Sequence, residues 1–443
     1  RENMKALTGN LAIGHARYST IGRGDLADVQ PLVISYPFGL GMAHNGNIVN
    51  CAELADDLKK RGRRHLLTHS DTEIVLNVFA ESLARATSSD TDSEVNFEHI
   101  CGAVKEVFTR VNGSYSIVTL VAGGGLLAFR DPHGLRPLVW GSRKVEAGTP
   151  GALASGEAHM VASESVSLSF MNYEVVRNIR AGEVLYIDMK GKVHSRVLDE
   201  RGARHCMFEW VYFASPESVI DGVPVYGSRI QLGKNLARLV KSQMLQRGLQ
   251  ADLIVPIPET SRIAAIALAE ELGIPYREVL IKNRYIKRTF ILDSQEKRQK
   301  AVNLKLSPVK SEIQGKRVLL IDDSIVRGTT SRKIIELVRK AGATQVYIVS
   351  TCPPIKHPCY YGIDFPSGKE LIASGRELSA IERELGADAL IYQDLEGLQS
   401  ALSGADNVKP CMACLDGKYP TEIGKAGARF AADREADRKE EIT

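Results

Sequence analysis

Short apolar runs separated by glycine and polar clusters dominate the first part of the chain. Asn45-Gly46 is typical of a hairpin corner, and Ser70 with Glu73 is typical of a capping box that opens a helix. Glycine-punctuated strands with a few helices between them predict an α+β domain of layered antiparallel sheets and helices over residues 1–205. The apolar spacing predicts strands at 11–20, 38–50, 113–122, 125–134 and 183–189, and helices from Ser70 and over 96–110.

From residue 206 the pattern changes to buried strands that alternate with amphipathic helices. The clearest unit has a strand at Val318–Ile321, helical apolar spacing that ends before Gly342, and a second strand at Val346–Val349. A similar unit runs from DLIVPIP through ETSRIAAIALAEELG to IPYREVLI, after a long amphipathic helix over 227–247. Two such units predict an α/β domain with a parallel sheet over residues 206–428. The charged tail 429–443 is expected to be frayed, or helical without packing.

Composition narrows the class of protein. The 443 residues are enough for two or three domains, and 57 basic against 53 acidic residues give a net charge of +4, too small to indicate nucleic acid. No apolar run reaches the length of a membrane span, and no secretory signal is visible. Seven cysteines, an odd number without the framing of a small secreted domain, favour a reducing cytoplasm, where clustered cysteines bind metal more often than they form disulfides. The chain starts with Arg1 rather than Met and runs at once into a strand pattern, so we expect its natural N-terminus to be missing.

Two loops carry candidate phosphate chemistry. Asp322 and Asp323 come at the carboxyl end of a strand, and the residues that follow offer backbone N–H groups, hydroxyls and a helix N-terminus to an anion. Paired acids beside a phosphate cradle indicate a sugar phosphate; a capped helix with two solvated acids is the alternative. The turn 258–261 is a second anion site or simply a well-capped helix.

Two other stretches stay ambiguous from the residues alone. The basic and aromatic run 282–291 is typical of a solvated face or of RNA binding, although the balanced charge and the two phosphate loops argue against RNA. Cys411 and Cys414 form a CxxC that fits zinc, redox chemistry or neither.

The stretch VLLIDDSIVRGTT resembles the phosphoribosyl-diphosphate (PRPP) loop of type I phosphoribosyltransferases. The resemblance implies that Asp322 and Asp323 bind the ribose hydroxyls and that the loop after them binds the 5′-phosphate. It also implies that Thr260 reaches Mg²⁺ through the bound substrate, together with the two acids, and that 282–291 is a flexible loop that closes over PRPP and helps to form an ammonia channel. The remaining PRPP-binding residues that it implies are Glu259, Ser261, Lys282, Tyr285, Lys305, Ser324, Arg327, Gly328, Thr329 and Thr330.

The ordered motifs GHARYST, HNGN, SDTE, GSYS and RDPHGLRPLVWG resemble the glutaminase domain of N-terminal-nucleophile glutamine amidotransferases. The resemblance implies that Arg17 binds the α-carboxylate of glutamine, that Asp71 binds its α-amino group, and that Asn45 and Gly46 form the oxyanion hole. The nucleophile of that family is an N-terminal cysteine, which this sequence lacks. Cys51 and Cys101 fit buried apolar positions instead, so we expect this chain to use ammonia rather than glutamine.

CMFEW, HPCYYGID and CMACLDGKYPTE resemble the ligand segments in the iron–sulfur branch of the amidophosphoribosyltransferases. This resemblance, which covers nearly the whole chain, implies a [4Fe–4S] cluster, with zinc as the alternative; the ligands would be Cys206, Cys359, Cys411 and Cys414.

Membership of that family implies the conversion of PRPP, glutamine and water to 5-phosphoribosylamine, pyrophosphate and glutamate, the first committed step of purine synthesis. It further implies Mg²⁺, a homo-oligomer that is a tetramer by resemblance, and feedback inhibition by purine nucleotides at the PRPP site. Two rival functions remain. A PRPP- or nucleotide-binding regulator without catalysis would tend to lack the acidic pair or the basic loop, and another kind of amidotransferase would not carry DDSIVRGTT.

Overall fold

A computed structural model provides the structure of the chain. It describes residues 9–16, 26–60, 62, 64–88, 95–146, 156–282, 306–365, 368–403, 409–425, 427–429 and 432.

The first part of the chain builds two antiparallel sheets, with helices packed against each of them. The strands are β1 (Leu32–Ile34), β2 (Leu40–Ile48), β3 (Gly113–Val121), β4 (Gly125–Arg130), β5 (Val139–Lys144), β6 (Glu157–Ala162), β7 (Glu174–Asn178), β8 (Glu183–Asp188) and β9 (Val193–Val197). The larger sheet has the order β1-β2-β3-β4-β8-β9, and the smaller has the order β6-β5-β7. A 3₁₀ turn at Leu26–Asp28 precedes them, and the helices are Cys51–Lys60, Asp71–Thr87, Phe97–Arg110 and Ser165–Phe170.

Alternation along β4 explains the layers of this first domain. Leu127 and Phe129 pack into the core shared with the helices Asp71–Thr87 and Phe97–Arg110. Ala128, between them, belongs to a smaller core together with residues of β5 and β6. Because successive side chains of a strand point to opposite faces, one strand serves both layers. The layered sheets and helices predicted from the sequence are present.

The second part of the chain is a parallel sheet covered by helices. The strands are β10 (Val219–Ile220), β11 (Val223–Pro224), β12 (Leu253–Pro256), β13 (Leu280–Lys282), β14 (Leu306–Pro308), β15 (Arg317–Asp322), β16 (Gln345–Ser350) and β17 (Ala389–Tyr392). The order of the parallel sheet is β12-β15-β16-β17, with all neighbouring strands parallel. Two short antiparallel pairs accompany it, β10 with β11 and β13 with β14. A π-helix spans Glu209–Phe213, and the helices are Val225–Arg247, Arg262–Leu272, Lys310–Ile313, Thr329–Lys340, Leu378–Leu385, Leu395–Ala401 and Ala413–Asp416.

Both faces of the parallel sheet are buried. Leu320 belongs to the core beneath the helix Thr329–Lys340, whereas its neighbour Leu319 belongs to the core beneath Val225–Arg247 and Arg262–Leu272. This explains why its strands are continuous apolar runs rather than alternating ones. The parallel α/β architecture predicted from the sequence is confirmed. In the described part of the chain, no helix is both long enough and apolar enough to cross a bilayer.

Three local predictions are wrong, each because a tertiary partner outweighs the local pattern. The described part of the predicted strand 11–20, residues 11–16, forms no strand, and β1 pairs with β2 at Leu40–Met42 instead. The run IPYREVLI adds only one bridge to the sheet, between Tyr276 and Ile254, and its end pairs antiparallel with β14 instead. Pro275 has no N–H with which to extend a ladder.

The predicted hairpin corner at Asn45-Gly46 is the third error. Both residues lie inside β2, which pairs with β3 from Leu40 through to Ile48. Gly46 has a φ of +151°, and a Cβ there would come within 2.0 Å of the Ser114 carbonyl oxygen. Glycine is therefore required for close contact between two strands and not for a turn.

The predicted capping box is only half present. Ser70 does cap the helix, by accepting the N–H of Thr72 at 3.3 Å. The Glu73 carboxylate does not return to Ser70; it accepts the N–H groups of Leu67 at 2.8 Å and Thr68 at 2.7 Å. The preceding loop thus competes successfully for this carboxylate.

Candidate functional site

The acidic pair lies at the carboxyl end of β15. Asp322 ends the strand and is buried, while Asp323 is half-buried in the loop that follows. One Asp322 oxygen accepts the N–H of Asp323 at 3.0 Å, and the other accepts the Ser331 hydroxyl at 3.4 Å. Ser324 donates to Asp323 at 2.9 Å. Ligands of parallel sheets bind beyond this edge, which is where the sequence predicted these acids to lie.

Burial raises the pKa of both acids, and at Asp322 the neighbouring charge adds to the shift. Burial is the main cause at Asp322, and the charge of Asp323 adds to it. Burial also raises the pKa of Asp323, although Ser324 and the Arg229 guanidinium partly oppose the shift. Two carboxylates held together in this way favour a cation or hydroxyl donors as partners.

The loop after the acids turns directly into a helix through Gly328. This glycine has a φ of +72°, and a Cβ there would lie 2.3 Å from the Ile372 side chain and 2.9 Å from that of Leu385. Thr329 and Thr330 start the helix and are exposed. Two exposed hydroxyls at a helix N-terminus are suited to an anion. Arg327, also exposed, pairs with Glu370 at 2.9 Å.

The second predicted anion loop follows the neighbouring strand, β12. Ser261 is buried and donates to the Ile257 carbonyl at 2.6 Å, so its hydroxyl shapes the loop. Glu259 is exposed and Thr260 half-buried. Lys282, at the end of β13, lies with its Nζ 3.9 Å from the Glu259 carboxylate. Because β12 and β15 are adjacent and parallel, the two loops lie at the same edge of the sheet.

Sequence reasoning did not assign Arg229 to this site. Its guanidinium donates to the carbonyls of Trp210 at 2.8 Å and Ala214 at 2.8 Å, and its charge acts on Asp323. Burial lowers the pKa of Arg229, and Asp323 partly offsets this. The sequence carries a Gly-x-Arg at 227–229, shortly after the stretch ASPES at 214–218, but nothing in it shows that Arg229 reaches the acidic loop.

In the first domain, the structure brings three predicted glutaminase residues together. Asn45 and Gly46 lie on β2, and Asp71 is the first residue of the helix Asp71–Thr87. One Asp71 oxygen accepts the N–H of Ile48 at 3.3 Å, and the other lies 3.6 Å from His44 Nδ1. The fourth predicted residue, Arg17, lies outside the described residues, as do Tyr285 and Lys305 of the PRPP prediction.

Cys51 and Cys101 show no sign of activation as nucleophiles. Burial raises the pKa of Cys101 to about 11. Burial also raises the pKa of Cys51, and Asp71 raises it further. The Cys51 thiol donates to the Ile48 carbonyl at 3.1 Å. A reactive cysteine requires the opposite shift of its pKa.

All four predicted cluster cysteines line one small apolar cavity. Cys206 and Cys411 form a parallel bridge, and the Cys414 carbonyl accepts the N–H groups of Lys356 and His357, each at 3.0 Å. Burial raises the pKa of Cys206, Cys411 and Cys414, and neighbouring thiols contribute to the shift. Among the described residues, no three His, Cys, Asp or Glu side chains stand close enough to hold a single metal ion. The cavity is lined by Leu135, Cys206, Phe208, Cys359, Tyr361, Ile363, Cys411, Ala413, Cys414 and Tyr419.

Comparison with known proteins identifies both domains. A glutamine amidotransferase domain matches residues 15–156, and a phosphoribosyl transferase domain matches residues 228–364. An amidophosphoribosyltransferase of Pseudomonas aeruginosa is 41% identical over 425 residues, which are 95% of this chain and 82% of that protein. The chain belongs to the amidophosphoribosyltransferase family.

Two further amidophosphoribosyltransferases agree. The Escherichia coli protein is 42% identical over 401 residues, which are 90% of this chain and 77% of that protein. The solved structure of the glutamine PRPP amidotransferase from B. subtilis, complexed with ADP and GMP, has a TM-score of 0.76 and 36% identity. The match covers 92% of this chain and 83% of that one.

An amidophosphoribosyltransferase is a glycosyltransferase and a glutamine amidotransferase in one chain. It acts in purine biosynthesis, where PRPP, glutamine and water give 5-phosphoribosylamine, pyrophosphate and glutamate. Glutamine hydrolysis corresponds to the first domain and transfer to ribose corresponds to the second. The relatives are named as enzymes, so the rival function of a non-catalytic nucleotide binder is not that of the family.

Proposed function

We propose that the acidic pair and the two loops at the edge of the parallel sheet together bind PRPP. Asp322 and Asp323 would bind the ribose hydroxyls, and the loop Ser324–Thr330 would bind the 5′-phosphate with Arg327, Gly328, Thr329 and Thr330. Glu259, Thr260 and Ser261 would bind the pyrophosphate. The observation that carries this proposal is the position of both loops beyond the carboxyl ends of adjacent parallel strands.

The donor set at this site also fits Mg²⁺. Magnesium is bound through one or two carboxylates together with substrate phosphates, and the acids here are buried with a raised pKa. Asp322, Asp323 and the Thr260 hydroxyl would hold the ion through the bound substrate. When bound, it would neutralise charge on the departing pyrophosphate.

The side chains around the sugar would then favour dissociation ahead of attack by ammonia. The departing pyrophosphate is oriented by the loop at Glu259–Ser261, while the acids fix the ribose as positive charge develops at C1. Lys282, Tyr285 and Lys305 would belong to a loop that covers PRPP and excludes water from the reactive sugar. Ammonia made within the protein avoids conversion to ammonium in bulk water.

In the first domain, we propose that Asp71 binds the α-amino group of glutamine and Arg17 its α-carboxylate. The Asn45 amide and the Gly46 N–H would stabilise the tetrahedral oxyanion formed when the side-chain amide is attacked. Neutral donors fixed on a strand suit this role, because they need not reorganise as charge develops.

The catalytic assignment of the acids is tested by the double variant Asp322→Asn with Asp323→Asn. It should abolish pyrophosphate release from PRPP with ammonia as nitrogen donor, because it removes both anionic groups of the sugar site. The matched control is Asp56→Asn, an exposed acid on the helix Cys51–Lys60, which should leave the rate unchanged. Retention of PRPP turnover by the double variant would show that the sugar binds elsewhere.

We also propose that Cys206, Cys359, Cys411 and Cys414 hold a [4Fe–4S] cluster. The four thiols surround an apolar cavity instead of meeting at one point, which suits a group larger than a single ion. Zinc needs sulfur atoms at about 2.3 Å from one centre, and among the described residues no three such side chains stand close enough to hold a single ion. Cluster formation would release the protons that burial now holds on these thiols.

The cluster is tested by Cys411→Ser in anaerobically purified protein. We expect loss of the visible absorbance and of most of the iron, together with a lower midpoint of thermal unfolding. Cys101→Ser is the control. Cys101 is buried as well, but it does not line the cavity, so this variant should retain iron. Equal iron content in both variants, or zinc in place of iron, would contradict the proposal.

Three further properties are proposed from the family resemblance. Purine nucleotides would inhibit by occupying the PRPP site, which the ADP and GMP in the B. subtilis structure support. The chain would form a homo-oligomer, a tetramer by resemblance, which sedimentation equilibrium would test. We also propose a reducing compartment such as the cytoplasm, which is supported by the lack of a disulfide among the described residues, all seven cysteines included. We propose that residues 1–205 form the glutaminase domain, that residues 206–428 form the phosphoribosyltransferase domain, and that residues 429–443 form a charged tail.

A further inference from the structure

A short segment of the second domain lies directly against the proposed oxyanion hole of the first. We call Tyr360–Gly362 the interdomain segment and Asn45–Asn47 the oxyanion segment. The Asn47 side-chain amide donates to the Tyr360 carbonyl at 2.9 Å, across a sequence separation of 313 residues. The contact therefore joins the glutaminase domain to the phosphoribosyltransferase domain within one or two residues of the groups proposed to stabilise the oxyanion.

Ser114 extends this contact from the neighbouring strand. Its buried hydroxyl donates to the Tyr361 carbonyl at 2.8 Å and accepts the backbone N–H of Asn47 at 3.2 Å. One side chain therefore links the interdomain segment to the backbone of the oxyanion segment. If the Tyr361 carbonyl moved, the same hydroxyl would carry the change to Asn47.

Two glycines meet where the segments touch. Gly362 has a φ of +96°, and a Cβ there would lie 3.0 Å from the Gly46 carbonyl oxygen and 3.4 Å from Gly46 Cα. Neither atom is the end of a flexible side chain, so the Gly46 backbone would have to shift to accept a methyl group. The backbones of the two domains are thus in direct contact at the proposed oxyanion hole.

The interdomain segment is itself held in place on the second-domain side. Tyr361 donates its N–H to Cys359 Sγ at 3.3 Å, and its hydroxyl interacts with the Thr421 hydroxyl at 2.9 Å. It also lines the cysteine cavity. A segment fixed in this way can support the strand that it touches.

We propose that the interdomain segment positions Asn45 and Gly46 for hydrolysis of glutamine, so that docking of the phosphoribosyltransferase domain is needed for full glutaminase activity. The inference rests on the proposed role of Asn45 and Gly46 as the oxyanion hole. Donors of this kind stabilise the transition state only when they are fixed in advance, and misplacement by ~1 Å costs on the order of a hundredfold in rate. Tyr360, Tyr361 and Gly362 are positioning residues, since none of them would touch glutamine.

Gly362→Ala is the most direct test. The protein is expressed from its complete reading frame, and pyrophosphate release from PRPP is measured with glutamine and, separately, with ammonia. We expect kcat with glutamine to fall roughly tenfold or more, because the donors move relative to the transition state. KM for glutamine and the rate with ammonia should stay near the wild-type values, because the atoms nearest to a Cβ at Gly362 all belong to Gly46 and not to the loops Glu259–Ser261 or Asp322–Thr330.

Two further variants separate positioning from damage to the fold. Gly202→Ala is the matched control: Gly202 has a φ of +84°, but a Cβ there would meet nothing within 4 Å. Alanine at position 202 would have the strain of a positive φ but no contact with another backbone. This variant should therefore keep the wild-type rates with glutamine and with ammonia. Ser114→Ala adds no volume and removes the hydroxyl link, so it should lower the glutamine rate in the same way as Gly362→Ala.

Hydrogen–deuterium exchange of the peptide 43–49 gives a second readout that needs no glutamine turnover. Exchange should be faster in Gly362→Ala than in the wild type and unchanged in Gly202→Ala. The proposal is wrong if Gly362→Ala and Gly202→Ala behave alike in both the rate and the exchange measurements. It is also wrong if Gly362→Ala lowers the rates with glutamine and with ammonia together. If the wild type has no glutamine-dependent rate, the exchange comparison alone decides.

The underlying assignment is checked separately with Asn45→Ala. Loss of the glutamine rate in Asn45→Ala, with a wild-type rate in Gly362→Ala, would keep the oxyanion hole and reject the interdomain role. A wild-type glutamine rate in Asn45→Ala would reject the oxyanion hole and the inference with it.

Discussion

Asp322 and Asp323 show how far single residues can be interpreted from sequence. Their adjacency at the end of an apolar strand was enough to predict a sugar-phosphate site. The Arg229 charge that acts on Asp323 comes from a helix almost a hundred residues earlier, and neither this charge nor the burial of the acids can be seen in the local sequence. The chemical type of the site was thus predictable, but the loss of folding stability that comes from burying two carboxylates was not.

This loss of stability leads to a prediction about pH. The folded protein raises the pKa of both acids, so between the ordinary carboxyl pKa of about 4 and the raised values the folded state binds more protons than the unfolded state. The free energy of unfolding therefore falls as pH rises through that window. Without Mg²⁺ or PRPP, Asp322→Asn with Asp323→Asn should be more stable than the wild type at pH 7, by an amount on the order of 1.4 kcal/mol per pKa unit removed.

Urea unfolding at pH 7 and near pH 4 checks this difference. The advantage of the double variant should shrink as the pH is lowered, because both acids then become neutral in the wild type as well. Asp56→Asn, at an exposed position, should show no such dependence. A double variant that is less stable than the wild type at pH 7 would contradict the destabilisation expected from burying the two carboxylates.

At the scale of elements, the errors in sequence interpretation share one cause. Long helices and buried strands were predicted because their apolar spacing extends over many residues, as in Thr329–Lys340 and β15. Asn45-Gly46 was assigned to a turn because two residues carry no information about β3, which lies some seventy residues away and pairs with both. Local signals fail where a distant strand supplies the hydrogen bonds.

The contact between the π-helix Glu209–Phe213 and the helix Val225–Arg247 leads to a prediction about stability. Arg229 donates to the carbonyls of Trp210, Tyr212 and Ala214. Arg229→Met should leave these carbonyls without that donor and lower the free energy of unfolding by about 3 kcal/mol. Arg238→Met, at an exposed position on the same helix, is the control. Equal urea midpoints for the two variants would show that this contact contributes little.

At the scale of the whole molecule, the order of the motifs carried more information than any one of them. HNGN or CxxC alone fits several structures, but their succession along the chain predicted both domains and the family. The contact between Gly362 and Gly46 was not predictable, because it depends on how two folded domains dock. The four cysteines likewise come together only through the fold, from positions as distant as Cys206 and Cys414.

Pyrophosphate release from PRPP and Mg²⁺, measured with ammonia and with glutamine on the same preparation, is the most direct test that this chain joins nitrogen to ribose. Release that depends on PRPP and on a nitrogen donor, with formation of 5-phosphoribosylamine, is the expected result. A folded protein that binds PRPP by calorimetry yet releases no pyrophosphate with either donor would contradict it, and would mark the chain as a nucleotide-binding protein without catalysis.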